Sequence, residues 1–355
     1  MLILLTVSLS RSSAFASRSP FGLFPQSGSS DEQHTHDYLI SSYNSKMNQF
    51  DRMADFLMQA DYMLTLAGAG MSADSGLDTY ETMPEEYQEL CDPVALIQET
   101  GRFQKFWFDF SQKYQSCEPH EGYRVLKRWY GDGKEKKLPN VLSYWVYTSN
   151  VDGHFRQMFP GDRVCEIHGF AGEWRCPYSM GYKLDGLEKR NGPVWEEWNE
   201  SVGNLDHSFC DKWKVTEDDE VTLICPNCGL PGRPNVLLFH DTDSTVLEPI
   251  NTKRQAYQTW EAEMENMVVN ENKMLVILEL GCGRNVPALR IESEEVLRDC
   301  LEQNPKAAVI LIRVNPKDAD ADDQTLKDHI LSIPFSAETA LQSCDETIDK
   351  RVAPR

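Results

Sequence analysis

The chain repeatedly drives a short apolar run straight into a glycine or asparagine turn, and this habit restricts its fold more than any other feature. Residues 62–67 (YMLTLA) end at Gly68-Ala69-Gly70, residues 273–280 (KMLVILEL) at Gly281-Cys282-Gly283, and residues 307–314 at Asn315-Pro316. Between them, the run through Val141, Leu142, Tyr144 and Val146 stops at a polar turn with Ser149, Asn150 and Asp152, and a shorter run, 164–167, delivers His168-Gly169. Runs of this length, rich in β-branched and aromatic residues, suit buried parallel strands. Helical spacing fills the intervals. Phe50, Met53, Ala54, Leu57 and Met58 predict a first helix, residues 92–130 a helical stretch, and 252–267, 293–303 and 335–348 three more, with Ser293 as a cap. Strand and helix alternating in this way predict an α/β fold with a doubly wound parallel sheet, whose ligands sit outside the carboxyl ends of the strands.

Other stretches have plainer readings. Phe103, Phe106, Trp107, Phe110 and Tyr114 form an aromatic stripe, which predicts core. Residues 233–239 (RPNVLLF) predict a buried strand ending at His240-Asp241, and the acidic run 318–323 a solvated loop.

A chain of 355 residues buries a full core in one large or two smaller domains. With 41% hydrophobic and 26% charged residues and no apolar run of bilayer-spanning length, no membrane is expected as partner of the mature form. A formal charge of −21 argues against nucleic acid as the main ligand, because a phosphate backbone would be repelled, and suits basic partners such as lysine-rich protein segments, although acidity also serves plain solubility.

Residues 1–9 (MLILLTVSL) have the length of a signal-peptide core, and the junction SSAFAS resembles the cleavage motif of two-part plastid leaders. A targeting peptide and linker are therefore expected over 1–45, with an organellar destination, the plastid first; the secretory pathway and the cytoplasm are the alternatives. Ten cysteines at irregular spacing do not make a disulfide scaffold. Cys225-Pro226-Asn227-Cys228-Gly229 is half of a structural zinc site, because such a turn presents two thiolates to one metal. The other half is incomplete: Cys176 is followed by Ser179 where a second thiolate belongs, so Cys210 or His207 would supply the fourth ligand. The competing reading is that these cysteines are reduced and idle.

The polar residues at the strand ends carry the chemistry. Taken singly, Asn150 and Asp152 suit a helix cap and His168 a core histidine; together, after the Gly68 turn, they form one cluster. The order GAGMSADSGL at Gly68, TSNVDGH at Thr148, His168-Gly169, the Cys-x-x-Cys element, RPNVLLF at Arg233, glycines at Gly281 and Asn315 after the last strand resembles the sirtuins, NAD-dependent protein deacylases, over roughly residues 47–348. The resemblance implies a Rossmann-like sheet, about 46–168 and 232–349, and a small zinc module inserted at about 169–231 and held by Cys176, Cys210, Cys225 and Cys228. It also implies NAD and an acylated lysine of a protein meeting in the cleft between them. By the same resemblance Gly68, Ala69, Gly70 and Ser72 hold the pyrophosphate, Asn150 and Asp152 position the nicotinamide and its ribose, Gly281, Cys282, Gly283 and Asn315 face the adenosine, and His168 is the general base; Ser149, which stands where the family has glutamine, is expected among the cofactor-binding residues.

This chemistry is consistent with the residue types. An amide oxygen is a poor nucleophile and displaces nicotinamide only at an anomeric carbon held in line, and a base must then deprotonate a ribose hydroxyl. Zinc would hold the module rigid and take no part in the reaction. The chain departs from the family where proline, aspartate, phenylalanine and arginine are replaced by Asp78, Thr79, Tyr80 and Glu81, and where His240 and Asp241 replace glycine and glutamate. Glu81 puts a negative charge near an anionic nucleotide unless Arg233 or Arg284 compensates. The alternatives to a deacylase are an NAD hydrolase or mono-ADP-ribosyltransferase, and a binding module for an ADP-ribosyl ligand or a protein.

Overall fold

A computed structural model describes residues 48–131, 136–175, 214–215, 223–224, 231–241 and 243–352. The leader 1–45 and the cysteines Cys176, Cys210, Cys225 and Cys228, together with His207, lie outside the described residues. The strands are β1 (Tyr62–Ala67), β2 (Ser143–Thr148), β3 (Val164–Glu166), β4 (Gly169–Arg175), β5 (Lys214–Val215), β6 (Leu223–Ile224), β7 (Arg233–Val236), β8 (Leu275–Leu280), β9 (Val309–Val314) and β10 (Ile330–Ile333). The α-helices are α1 (Gln49–Gln59), α2 (Ala69–Ala73), α3 (Glu85–Gln88), α4 (Pro93–Gln98), α5 (Thr100–Ser116), α6 (Glu121–Tyr130), α7 (His154–Met158), α8 (Ser244–Asn270), α9 (Ala288–Gln303) and α10 (Ala337–Val352).

Six strands form one sheet in the order β3-β2-β1-β8-β9-β10, every neighbouring pair parallel. The chain builds outward from β1 in one direction, then returns and builds outward from β8 in the other. The order therefore reverses between β1 and β8, and in open α/β sheets that is where a crevice opens. Register decides what stands at it. Ala67 lies beside Thr148 and Leu280, and Leu280 beside Val314, so the strands end level. Gly68, Ser149, Gly281 and Asn315, one residue further on, are brought to a single edge.

Each face of the sheet is covered. Met63, Val146, Val276, Leu278, Ile310 and Ile312 pack with α1, α6 and α10 through Leu57, Trp129 and Leu341, while Leu64, Leu66, Tyr147, Ile277 and Leu311 meet α8 and α9 through Tyr257, Met264, Val296 and Leu297. Burying one such aliphatic side chain stabilises by about 1.5–3 kcal/mol. The aromatic stripe of α5 is core: Phe103, Phe106, Trp107 and Tyr114 are buried against Ala171, Trp174, Val236 and Leu238 of the β4–β7 region.

Four local expectations need correction. The stretch 92–130 is broken into three helices, because Asp92 caps α4 through Val94 N (2.8 Å) with Pro93 at its first position, and His120 Nδ1 caps α6 by accepting from Gly122 N (2.9 Å). Ser293 is not a cap but lies buried within α9, its hydroxyl donating to Glu279 at 2.6 Å. The run from Arg233 yields only the short β7, which pairs antiparallel with β4 outside the main sheet. The acidic loop 318–323 is no merely solvated segment. Its Ala319 and Ala321 are buried, and the carbonyls of Asp318 and Asp320 accept hydrogen bonds from buried Arg290 and Arg313.

Those arginines belong to a charged cluster inside the sheet. Glu279 of β8 stands in register with Arg313 of β9, and both are fully buried. Arg313 also donates to Glu294 (2.9 Å), and Arg290 reaches the Cys282 carbonyl at 3.2 Å. Desolvating these groups is costly, and the mutual pairing offsets it.

Candidate active site

Two glycine turns interlock at the crevice. Gly68 N donates to Leu280 O and Gly70 N to Gly281 O, both at 2.9 Å. Gly281 has φ +61°, and a Cβ built on it would come within 2.5 Å of Gly70 C and closer still to Met71 N. A Cβ on Gly70 would likewise meet Gly281 Cα at 2.7 Å. The glycines are thus required first by the contact between the β1 and β8 turns, and the Gly68 and Gly70 amides already have acceptors in the protein. Cys282 is buried beneath the second turn, and burial holds its thiol far above the ordinary range. Asn315 fixes the same turn: its Nδ2 donates to Cys282 O at 3.0 Å, and its Oδ1 accepts from Lys317 N and Asp318 N.

The β2 turn is tied to the first of these. Asn150 Nδ2 donates to Gly68 O at 3.0 Å. Two residues on, the buried carboxylate of Asp152 accepts from the Ser72 hydroxyl and, at 2.8 Å, from His154 N. Ser72 and Asp152 therefore bridge the two turns. Among the described residues no lysine or arginine pairs with Asp152, so its negative charge is buried without a counter-ion.

His168 follows β3 at the same edge. Its Nδ1 lies 3.2 Å from Ser149 O, and since a carbonyl only accepts, the proton is on Nδ1 and the lone pair on Nε2. The side chain is half-buried, and the surrounding protein pushes its pKa down to about 4; the bond to Ser149 opposes this and Arg254 adds to it. At neutral pH the imidazole is an uncharged base.

Hydrogen bonds thus link His168 to Ser149, Asn150 to Gly68, Gly70 to Gly281 and Asn315 to Cys282, which gathers the sequence-predicted residues of four segments at one edge. Neither cation expected to compensate Glu81 is free to do so. Arg233 is buried with Asp241 and Asp243, and Arg284 pairs with Asp318 and Asp322. Sequence reading placed His154 on the β2 turn but missed its role: it is fully buried in contact with Tyr123 (ring centroids 5.3 Å apart) and donates from Nε2 to Cys117 O at 3.1 Å. It also missed the link from Asn285 to Glu81. The one signal for either was a polar residue placed next to an expected site residue.

Among the described residues no group of three or more His, Cys, Asp or Glu is arranged to hold a metal ion, and no helix is long and apolar enough to cross a membrane. No family model matches the chain. A curated NAD-dependent protein deacylase of Aquifex aeolicus is 30% identical over 202 residues, 55% of this chain and 66% of that protein. NAD-dependent protein deacylase 2 of Pseudomonas aeruginosa is 29% identical over 149 residues, 39% of this chain and 54% of that protein. The chain thus spans 54% and 66% of the lengths of these relatives. A crystal structure of a Sir2 homolog–NAD complex shares the fold, with TM-score 0.52 and 16% identity over 87% of this chain and 96% of that one. Fold and site together define an α/β protein with a six-stranded, parallel, Rossmann-like sheet. Its curated relatives are NAD-dependent protein deacylases and deacetylases, and the chain is a divergent relative of the sirtuins.

Proposed function

We propose that this chain is an NAD-dependent protein-lysine deacylase that transfers the acyl group of a modified lysine to ADP-ribose and releases nicotinamide. The observation that carries the reading is Asp152: a buried carboxylate without a cationic partner, at the same sheet edge as a neutral imidazole. Such a carboxylate favours positive charge brought beside it. When bound, the dinucleotide supplies a cationic nicotinamide leaving group and an electrophilic anomeric carbon. Asp152 is held by Ser72 and His154 N, so it meets that charge without reorganising. Asn150 fixes the β2 turn against Gly68. His168, with Nδ1–H on Ser149, presents the Nε2 lone pair that takes a proton from a ribose hydroxyl.

The fit has a physical basis in the crevice at the strand-order reversal, walled by two turns in which side chains are excluded at Gly70 and Gly281. The names of the curated relatives support the reaction class, and one solved structure of the same fold is a Sir2 homologue with 2'-O-acetyl ADP ribose. The rest of the reading is compositional. A zinc module at about 169–231 held by Cys176, Cys210, Cys225 and Cys228, between Rossmann-like parts at about 46–168 and 232–349, would carry no reaction step. A leader over 1–45 would direct the protein to an organelle, the plastid first.

The test incubates the full chain with NAD and an acetyl-lysine peptide and follows nicotinamide and O-acyl-ADP-ribose. His168→Ala should abolish the acyl transfer. A folded wild-type protein that releases no nicotinamide refutes the reading, and free ADP-ribose as sole product would make it an NAD hydrolase.

A further inference from the structure

A carboxylate is fastened across the crevice at its second glycine turn. Glu81, in the segment after α2, accepts a hydrogen bond on Oε1 from Asn285 Nδ2 at 2.7 Å. A Cβ built on Gly283 would meet the same oxygen at 3.4 Å, so the carboxylate rests on the backbone of the Gly281 to Gly283 turn. Among the described residues the arginines of this region and Lys113 are committed elsewhere. Arg284, beside Asn285, pairs with Asp318 and Asp322, Arg290 with Glu279 and Asp322, Arg313 with Glu279 and Glu294, and Lys113 with Asp78.

We propose that Glu81 is an electrostatic latch at the rim of the nucleotide crevice that sets the chain's affinity for diphosphate ligands. The inference rests on the dinucleotide reading above and adds to it a specificity-determining residue. A diphosphate entering the crevice meets a like charge at its rim, and the arginines paired above are not free to cancel the repulsion. Glu81 must leave before the ligand seats. Its departure releases the Asn285 amide, an N–H donor that can then serve a phosphate oxygen. One anion replaces another on the same donor, and the bound state keeps a penalty from the displaced charge only as far as screening allows.

Calorimetry on the full chain tests this with ADP-ribose and with adenosine, which carries no phosphate, for wild type, Glu81→Gln and Glu81→Ala. Glutamine keeps an acceptor for Asn285, and the position is exposed, so folding is not at stake. Glu81→Gln is expected to bind ADP-ribose at least about tenfold more tightly than wild type, about 1.4 kcal/mol, with adenosine affinity unchanged. The advantage should shrink as salt rises from about 0.05 to about 0.5 M. Equal or weaker ADP-ribose binding by both variants, beside a wild type that binds, overturns the latch alone. An equal gain for adenosine overturns it too, because charge would then not be the cause. Absence of ADP-ribose binding in all three proteins overturns the latch together with the dinucleotide reading.

Discussion

Gly281→Ala should be among the most damaging small substitutions in this chain, by an amount that can be built from the geometry. An alanine at φ +61° must hold the left-handed conformation, which costs roughly 1–2 kcal/mol. Its methyl would lie 2.5 Å from Gly70 C and nearer still to Met71 N, and both are backbone atoms that cannot swing aside. Relief requires the β1 and β8 turns to part. Overpacking of this kind costs about 1–3 kcal/mol, and parting also weakens the hydrogen bond from Gly70 N to Gly281 O, worth about 0.5–1.5 kcal/mol. The expected loss is therefore roughly 3–5 kcal/mol, a large part of the about 5–15 kcal/mol that holds a domain folded. Gly76 provides the control. It has φ +83° with nothing within 4 Å of its would-be Cβ, so Gly76→Ala should show the conformational cost alone. Urea unfolding of both variants, compared through midpoint shifts at unchanged slope, isolates the packing cost as their difference, about 2–3 kcal/mol. If the two variants lose the same stability within about 0.5 kcal/mol, the turns are not interlocked, and the account of why glycine stands at Gly281 fails.

Two further expectations concern charge. Because burial pushes His168 down to about 4, the imidazole loses its proton as pH rises through that value and is a neutral base throughout the range above it. The acidic limb of kcat/KM should therefore fall well below pH 6, and a limb centred near the ordinary histidine value of about 6.5 would remove His168 from the role. The same depression makes folding more stable above pH 6.5 than below, with the contribution lost as pH falls from 6.5 toward 4. Arg313→Met leaves Glu279, whose carboxyl is already raised by burial, without the guanidinium that donates to it at 2.9 Å. Urea unfolding should show a loss of about 3–5 kcal/mol, largely recovered in the Glu279→Leu, Arg313→Met double variant, and a single variant within 1 kcal/mol of wild type would show that the pair is not desolvated as described.

The parts of the fold that were legible are those where one signal sufficed. β1 was readable to the residue, because a continuous apolar run meets a glycine, and the aromatic stripe of α5 was readable as core from its spacing. β10 escaped because its four residues, ILSI, follow an acidic loop and are too short to show a period. That loop was misread because its buried partners, Arg290 and Arg313, are 28 and 7 residues away from the carbonyls they hold. A clue was present in the strands themselves. Glu279 and Arg313 each stand one place before the end of an otherwise apolar run, and opposite charges at matching places in two neighbouring strands call for register to pair them.

The candidate site was legible for the same reason and to the same limit. Sequence showed which residues follow each strand, but only the level register of Ala67, Thr148, Leu280 and Val314 makes those residues neighbours. A slip of a strand by one position would turn its apolar side chains to the wrong face of the sheet, so burial of Leu66, Tyr147, Leu278 and Ile312 enforces the alignment. Convergence of Gly68, Ser149, Gly281 and Asn315 is therefore a consequence of packing two helical layers on one parallel sheet. What packing does not determine is charge at the rim: the sequence names Glu81, but only the structure seats it at the second turn, and its substitution, unlike that of Gly281, should alter binding and leave the fold intact.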